Sequence, residues 1–182
     1  MAPSSISPSS SNVKYLFTDN FLRVTILLYS AIIVISVTSK FLLYNSNMNP
    51  ELKQFVTEYF SKSGKALDLG CGDGIDVEGL KNMGWECDGA DIITGTDLNE
   101  VYLSPNAPYD LVYSNYVIQK LKTPESLIKT IELNLKKGGK FFLHTFDESD
   151  EIAKKTYTKE SIKELFKDTS LHPESCEVLR VW

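Results

Sequence analysis

Strands alternating with helices along residues 51–182 predict an α/β domain, doubly wound around a mainly parallel sheet with helices on both faces. Three observations carry that expectation. A short apolar stretch, Ala66-Leu67-Asp68-Leu69, runs into glycines at Gly70, Gly72 and Gly74, and Ile75 then opens a helix. Thr123-Pro124-Glu125 starts a second helix with an apolar stripe of Leu127, Ile128, Ile131 and Leu135, closed by Lys136-Lys137 and Gly138-Gly139. Residues 141–146 follow as a strand apolar on both faces, as a central parallel strand requires. One hydrophobic helix is expected ahead of this domain.

Charge divides the chain unevenly. Lys14, Arg23 and Lys40 against Asp19 give residues 1–49 a net charge of +2, whereas the remainder holds 16 basic and 23 acidic residues, a net of −7. An acidic domain is poorly suited to phosphate backbones, so no nucleic-acid partner is expected. Cys71, Cys87 and Cys176 form no C-x-x-C pattern, and His144 and His172 are the only histidines. Neither a disulfide framework nor a metal site follows, and a reducing compartment fits this usage.

Residues 1–20, rich in serine and proline at the start, cannot bury a core and are expected to be a disordered tail. Residues 21–44 read as a transmembrane helix. From Val24 to Ser39 there is no charge, and Arg23 and Lys40 stand at the two ends. Extended to Tyr44, such a helix reaches about 32 Å, close to the thickness of a bilayer's hydrocarbon core. A cleaved signal peptide fits less well, because the segment starts late and no small-x-small cleavage site follows. The competing reading is a β-branched-rich helix or strand pair packed on the domain. Residues 45–50 are a polar linker, and 51–182 form the domain.

Within the domain, Leu52, Phe55, Val56, Tyr59 and Phe60 recur at helical spacing, with Pro50 where a first helical residue tolerates it. The loop after Leu69 needs glycines because a tight turn that approaches a ligand closely has no room for Cβ atoms. Its spacing excludes a dinucleotide fingerprint, since Ile75 stands where G-x-G-x-x-G requires glycine. Residues 76–83 read as a helix ended by Gly84, and 85–90 as a strand ending on Asp91. Asp91 lies where a doubly wound fold places an acid to accept ribose hydroxyls, or it is a turn aspartate capping the segment that follows. Ser114 and Asn115 emerge at the carboxyl end of the next strand, 109–115, where open α/β sheets bind ligands. Thr158 begins a last helix, and 175–182 read as a final strand.

The run Asp68-Leu69-Gly70-Cys71-Gly72-Asp73-Gly74 resembles the first motif of class I S-adenosylmethionine (SAM) methyltransferases. Gly95-Thr96-Asp97-Leu98-Asn99 resembles that family's G-D-L motif, and Tyr109-Asp110-Leu111-Val112-Tyr113-Ser114-Asn115 its fourth strand. Lys136-Lys137-Gly138-Gly139 before an apolar strand is similar to its L-K-P-G-G pattern. The likeness spans about 52–182 and is nearest the broad type 11 small-molecule group. It implies a Rossmann-like class I methyltransferase fold with SAM as cofactor. The cofactor-binding residues it implies are Asp68, Gly70, Cys71, Gly72, Gly74, Asp91, Ile92, Asp97, Leu98 and Ser114, with Asp97 on the adenine amine and Leu98 on the ring. Asp110 is expected to hold backbone near the loop.

Departures from the family pattern are specific. Lys120 replaces a histidine common at its position, and Asn115-Tyr116 lacks the prolines of the N-P-P-Y motif that amine and amide N-methyltransferases use, which argues against that subgroup. The segment between Asp91 and Asp110 is too short for the usual helix and strand, which puts the third strand in doubt. No residues follow Trp182 to build the usual terminal antiparallel strand, which would leave a sheet edge bare; the expectation is a fragment, a degenerate copy, or a variant that closes its sheet otherwise, with a protein partner over the edge. No catalytic residue is evident; His144, as a general base or merely as the cap of its strand, and Asn115 are the candidates. The implied activity is methyl transfer to an unidentified small-molecule, lipid-like or membrane-associated acceptor. Its rivals are a non-catalytic SAM-binding or regulatory protein and a membrane-tethered scaffold that binds no cofactor. A single-pass membrane location with the domain facing the cytosol is expected, because SAM is made and used there.

Overall fold

The computed structural model describes residues 31–37, 48–151, 153–173 and 175–180, with the backbone alone for 31–37 and 175–180. Its strands are β1 (Ala31–Val37), β2 (Lys65–Leu69), β3 (Glu86–Ala90), β4 (Tyr109–Asn115), β5 (Leu135–Phe146) and β6 (Ser175–Arg180). Between them run helices α1 (Pro50–Tyr59), α2 (Ile75–Asn82), α3 (Pro124–Asn134) and α4 (Lys159–Glu164). Single turns of 3-10 helix lie at Ile92–Thr94 and Ile118–Lys120. The strands form one sheet in the order β3-β2-β4-β5-β1-β6, and every pairing among them is parallel.

Strand alternation sends side chains to two faces, and each face meets its own helices. Ala66, Leu111, Tyr113 and Phe142 pack with Leu52, Phe55 and Val56 of α1 and Val77 and Leu80 of α2. Leu67, Leu69, Val112, Phe141 and Leu143 pack with Leu127, Ile128 and Ile131 of α3, with Ile162 of α4 and with Phe166 just after it. This is the three-layer arrangement expected of a doubly wound sheet. Asn49 caps α1 through its side chain, accepting from Leu52 N at 3.0 Å. Thr158 and Ser161 form a reciprocal capping box on α4.

The hydrophobic helix is corrected at its centre: Ala31–Val37, inside the predicted 21–44 span, is a β-strand. Its register pairs it with β5 on one side and β6 on the other. The physical reason lies in Ile32-Ile33-Val34-Ile35, a β-branched run without charge that suits a strand flanked on both sides as well as it suits lipid. Among the described residues, no helix is long and apolar enough to cross a membrane. The remainder of 21–44, the tail 1–20 and linker residues 45–47 lie outside the described residues.

Other expectations change at the ends of the sheet and of α3, while the doubt about a third strand after Asp91 is borne out. The final strand forms over Ser175–Arg180, but it pairs with β1, and β1 covers the β5 edge for which a partner was expected. At the other end β3 is the sheet edge, because residues 91–108 hold one 3-10 turn and no strand. Helix α3 stops at Asn134, so Lys136 and Lys137 belong to β5. Lys136 is ion-paired with Asp110 there, and the register of β4 against β5 shifts between Tyr109 and Leu111 as the chain passes Gly138 at φ 76°. Thr123 precedes α3 but does not cap it with its hydroxyl, which donates to Asn99 O at 2.6 Å.

Candidate functional site

At the carboxyl end of β2 the chain turns through three glycines in the left-handed region, with φ of 91° at Gly70, 49° at Gly72 and 77° at Gly74. Gly70 is forced on two grounds. Its φ of 91° lies outside the range L-residues readily hold, and a Cβ there would meet Val117 Cγ2 at 2.1 Å. Gly72 and Gly74 differ: among the described residues, an added Cβ at either meets nothing within 4 Å. The loop is therefore packed on its inner side and open on the other. Gly74 leads directly into α2, whose first-turn amides and Asp76 face the same end of the sheet.

Asp91 stands at the end of β3 and does two things at once. Its Oδ1 accepts from Ile93 N at 2.9 Å, completing a capping box with Thr94, and its Oδ2 accepts from Gly72 N at 3.0 Å. It is thus a turn cap as well as a neighbour of the glycine loop. Ile92 beside it is two-thirds exposed. Asp97 is exposed and accepts from the backbone and side chain of Asn99, which hold its carboxyl below the usual range. Leu98 is turned into the core. Ser114 is fully buried and donates to Leu69 O at 2.7 Å, tying β4 to β2 just below the loop.

Asp68 is buried in β2, where desolvation raises its pKa well above the ordinary value. The charges of Asp76 and Asp91 push in the same direction, and a hydrogen bond from Tyr113 opposes them. Cys71 in the loop is pushed up to about 11 by burial and by Asp68 and Asp91. The loop thus sits in a negative field that favours a positively charged occupant. Asp110 was expected near the loop; it holds backbone, but at the opposite end of the sheet. Its Oδ2 accepts from Lys65 N at 2.8 Å. Burial alone would raise the Asp110 pKa, and Lys136 with the Lys65 amide bring it below the usual range.

Beyond α2 a polar circuit links the glycine loop to the ends of β4 and β5. Asp76 Oδ2 accepts from Asn115 Nδ2 at 2.6 Å, and its Oδ1 accepts from Asn49 N at 2.7 Å. Asn49 Nδ2 lies 3.2 Å from His144 Nδ1, and Tyr116 Oη lies 3.1 Å from His144 Nε2. The hydrogen positions follow from this chain. Because Asn49 Oδ1 is committed to Leu52 N, its nitrogen must face His144, so Nδ1 accepts and Nε2 carries the hydrogen toward Tyr116. Burial lowers the His144 pKa to about 4. His144 is neutral at physiological pH, with its lone pair already engaged.

Tyr116 has φ 55°, the one non-glycine residue in the left-handed region among those described. Its amide donates to His144 O at 2.9 Å, and its ring packs on His144 and Phe146. Asn49 and Asp76 were missed by sequence reasoning. Asn49-Pro50 is a local helix-start signal, but nothing local says that its amide would reach His144. Among the described residues, no group of acids, histidines and cysteines could hold a metal ion.

Comparison with known proteins gives one family and several remote likenesses. The model of the methyltransferase domain family matches residues 44–173. No curated protein matches the chain. The glycopeptide N-methyltransferase MtfA complexed with sinefungin is similar over 56% of this chain and 54% of its own, at 19% identity and a TM-score of 0.46. A SAM-dependent methyltransferase from Clostridium acetobutylicum ATCC 824 is similar over 50% of this chain and 46% of its own, at 21% identity and a TM-score of 0.35. The chain spans about half the length of these solved structures.

Proposed function

The chain belongs to the methyltransferase domain family, and from that premise we propose that it is a SAM-dependent methyltransferase acting on a small-molecule acceptor. The observation that carries the reading is the open half of the glycine loop. Gly72 and Gly74 hold left-handed backbone with empty space where a Cβ would be, beside the Asp91 carboxylate. That cradle fits SAM: loop amides and the start of α2 for the amino-acid end, Asp91 for the ribose hydroxyls, Asp97 for the adenine amine. Ile92, exposed beside Asp91, supplies an apolar surface for the adenine ring. The negative charges of Asp76 and Asp91 suit a ligand that carries a sulfonium. When bound, SAM supplies an electrophilic methyl group on that sulfur.

What the residues contribute is position. The acceptor enters at the carboxyl ends of β4 and β5, where Asn115, Tyr116 and His144 are fixed by the circuit through Asp76 and Asn49. Holding two reactants at attack distance accounts for a large part of the acceleration in a direct displacement. His144 orients Tyr116 and does not act as the base, since its lone pair is engaged and its basicity low.

Calorimetric titration of the full chain with SAM tests the reading, with Asp91→Ala as comparison. Binding by the wild type, weakened about tenfold or more in Asp91→Ala, is expected from the loss of hydrogen bonds to a charged group. Absence of SAM binding in the folded wild type would refute it.

A further inference from the structure

Between the end of β3 and the start of β4 the chain carries Asp97 and Asn99 with no strand to hold them, and the start of α3 holds them instead. Thr123 Oγ1 donates to Asn99 O at 2.6 Å, and Ser126 Oγ donates to Leu98 O at 2.5 Å. The Asn99 side chain adds a third link, since its Oδ1 accepts from Lys122 N at 2.7 Å. That bond also orients the carboxamide. A backbone N–H only donates, so the oxygen faces Lys122 and the nitrogen faces Asp97, which accepts.

Asn99 closes on Asp97 twice: its backbone N donates to Asp97 Oδ1 at 2.9 Å, and its Nδ2 donates to the same oxygen at 2.8 Å. Two donors on one oxygen set the plane of the carboxylate, with Oδ2 as its second acceptor. They also hold the carboxyl below its usual range, which keeps it an acceptor. The segment ahead of Lys122 packs on the glycine loop, because Val117 fills the space that a Cβ at Gly70 would need. Asn99 thus fastens Asp97 to the same stretch, 117–122, that braces the loop.

We propose that Asn99 is a positioning residue for base recognition: acting through Asp97, it makes the site select a purine with an amino group at C6 over one with a keto oxygen there. The inference rests on the reading of the chain as a SAM-dependent methyltransferase with Asp97 on the adenine amine. An amino group donates to Asp97 Oδ2. A keto oxygen sets lone pairs against the carboxylate, and the contact turns from attractive to repulsive. That penalty requires a carboxylate that cannot turn aside. Asp97 is exposed, and a freely rotating side chain there would swing toward water and admit the wrong base. Asn99 removes that freedom. Asn99→Asp keeps an oxygen for the Lys122 amide but sets another against Asp97 Oδ1, and Asn99→Ala reaches neither partner with its side chain.

S-adenosylhomocysteine and S-inosylhomocysteine differ only at C6 and N1 of the purine, so the pair reads base selection without a methyl acceptor. The full chain is titrated calorimetrically with both, as wild type, Asn99→Asp, Asn99→Ala and Asp97→Ala, each first shown to be folded by its melt. The wild type should prefer the adenosyl ligand by about tenfold or more. All three variants should lose most of that preference while keeping S-inosylhomocysteine affinity within about threefold. A merely structural role would weaken both ligands equally, and that result overturns the proposal, as does a wild type that binds both alike. A preference that survives in the Asn99 variants and is lost in Asp97→Ala overturns it too, and leaves the cofactor reading intact. A folded wild type that binds neither ligand overturns the cofactor reading and this inference together.

Discussion

Gly70 and Gly72 stand two residues apart in the same loop, and an added methyl group should do opposite things at the two positions. At Gly70, alanine must hold φ near 91°, outside the small left-handed basin available to L-residues, at about 1–3 kcal/mol. Its Cβ would also lie 2.1 Å from Val117 Cγ2, a buried side chain at the start of the segment after β4, and overpacking of this kind costs about 1–3 kcal/mol more. Gly70→Ala should therefore lose roughly 2–6 kcal/mol. At Gly72, φ of 49° is at the edge of that basin and nothing lies within 4 Å, so Gly72→Ala should lose only about 1–2 kcal/mol. For a domain of this size each kcal/mol moves Tm by about 2–4 °C, which separates the two melts by roughly 5–10 °C. Ligand binding should rank them the other way: Gly72→Ala, still folded, puts its methyl into the open side of the loop and should weaken SAM by about tenfold or more. Thermal denaturation and calorimetry on the same preparations give both numbers. Equal melts would refute the packing argument at Gly70, and unaltered SAM affinity in Gly72→Ala would refute the assignment of the open side to the cofactor.

Three other perturbations test other parts of the molecule. Asp68 binds its proton more tightly folded than unfolded, so its contribution to stability falls as pH rises above about 4; Asp68→Asn should gain stability relative to the wild type as pH rises above that point, and parallel urea-denaturation profiles would refute this. Asp110 has the opposite sign: its pKa is held low, so its contribution is present above about pH 4 and lost as pH falls, and Asp110→Asn should cost about 1–2 kcal/mol at pH 7 with SAM affinity unchanged. Val34→Pro removes a backbone donor from a strand bonded on both sides, so it should cost about 1–3 kcal/mol and lower Tm by several degrees, whereas a melt like that of the wild type would place residues 31–37 outside the sheet.

What the sequence disclosed was local. The glycine loop, the Asp91 strand end and the β4 strand can each be read because a turn geometry or an alternation needs particular residue types within a few positions. The helix ending at Asn134 was read three residues too long, because Lys136 and Lys137 satisfy a helix terminus as well as an ion pair with Asp110, and only the second depends on the tertiary fold. Asn49, Asp76 and His144 lie far apart in sequence, and no spacing rule joins them. The apolar run at 31–37 failed for another reason: a bilayer and the middle of a parallel sheet make the same demand, that no charge be present. Its β-branched content favoured the strand, but charge-free length was given more weight than side-chain shape.

The two ends of that N-terminal stretch meet at one residue. Val34 of β1 pairs in register with His144 on one side of β5, and Asn115 of β4 pairs with His144 on the other. After β1 the chain returns as Asn49, whose side chain reaches Nδ1 of the same histidine. His144 is thus fixed by backbone on both flanks and by a side chain from the segment that β1 leads into. It in turn holds Tyr116 in left-handed backbone through its carbonyl and its ring. In the described structure the strand beginning at Ala31 is therefore coupled to the ends of β4 and β5, where the acceptor is proposed to enter. Loss of β1 would release one flank of β5 at His144 and loosen the Asn49 bridge, while the glycine loop, held by Ala90 and Asp91 on the far side of β2, would keep its shape. On the proposed reading, cofactor binding and acceptor positioning are carried by opposite halves of the sheet, and β1 belongs to the second.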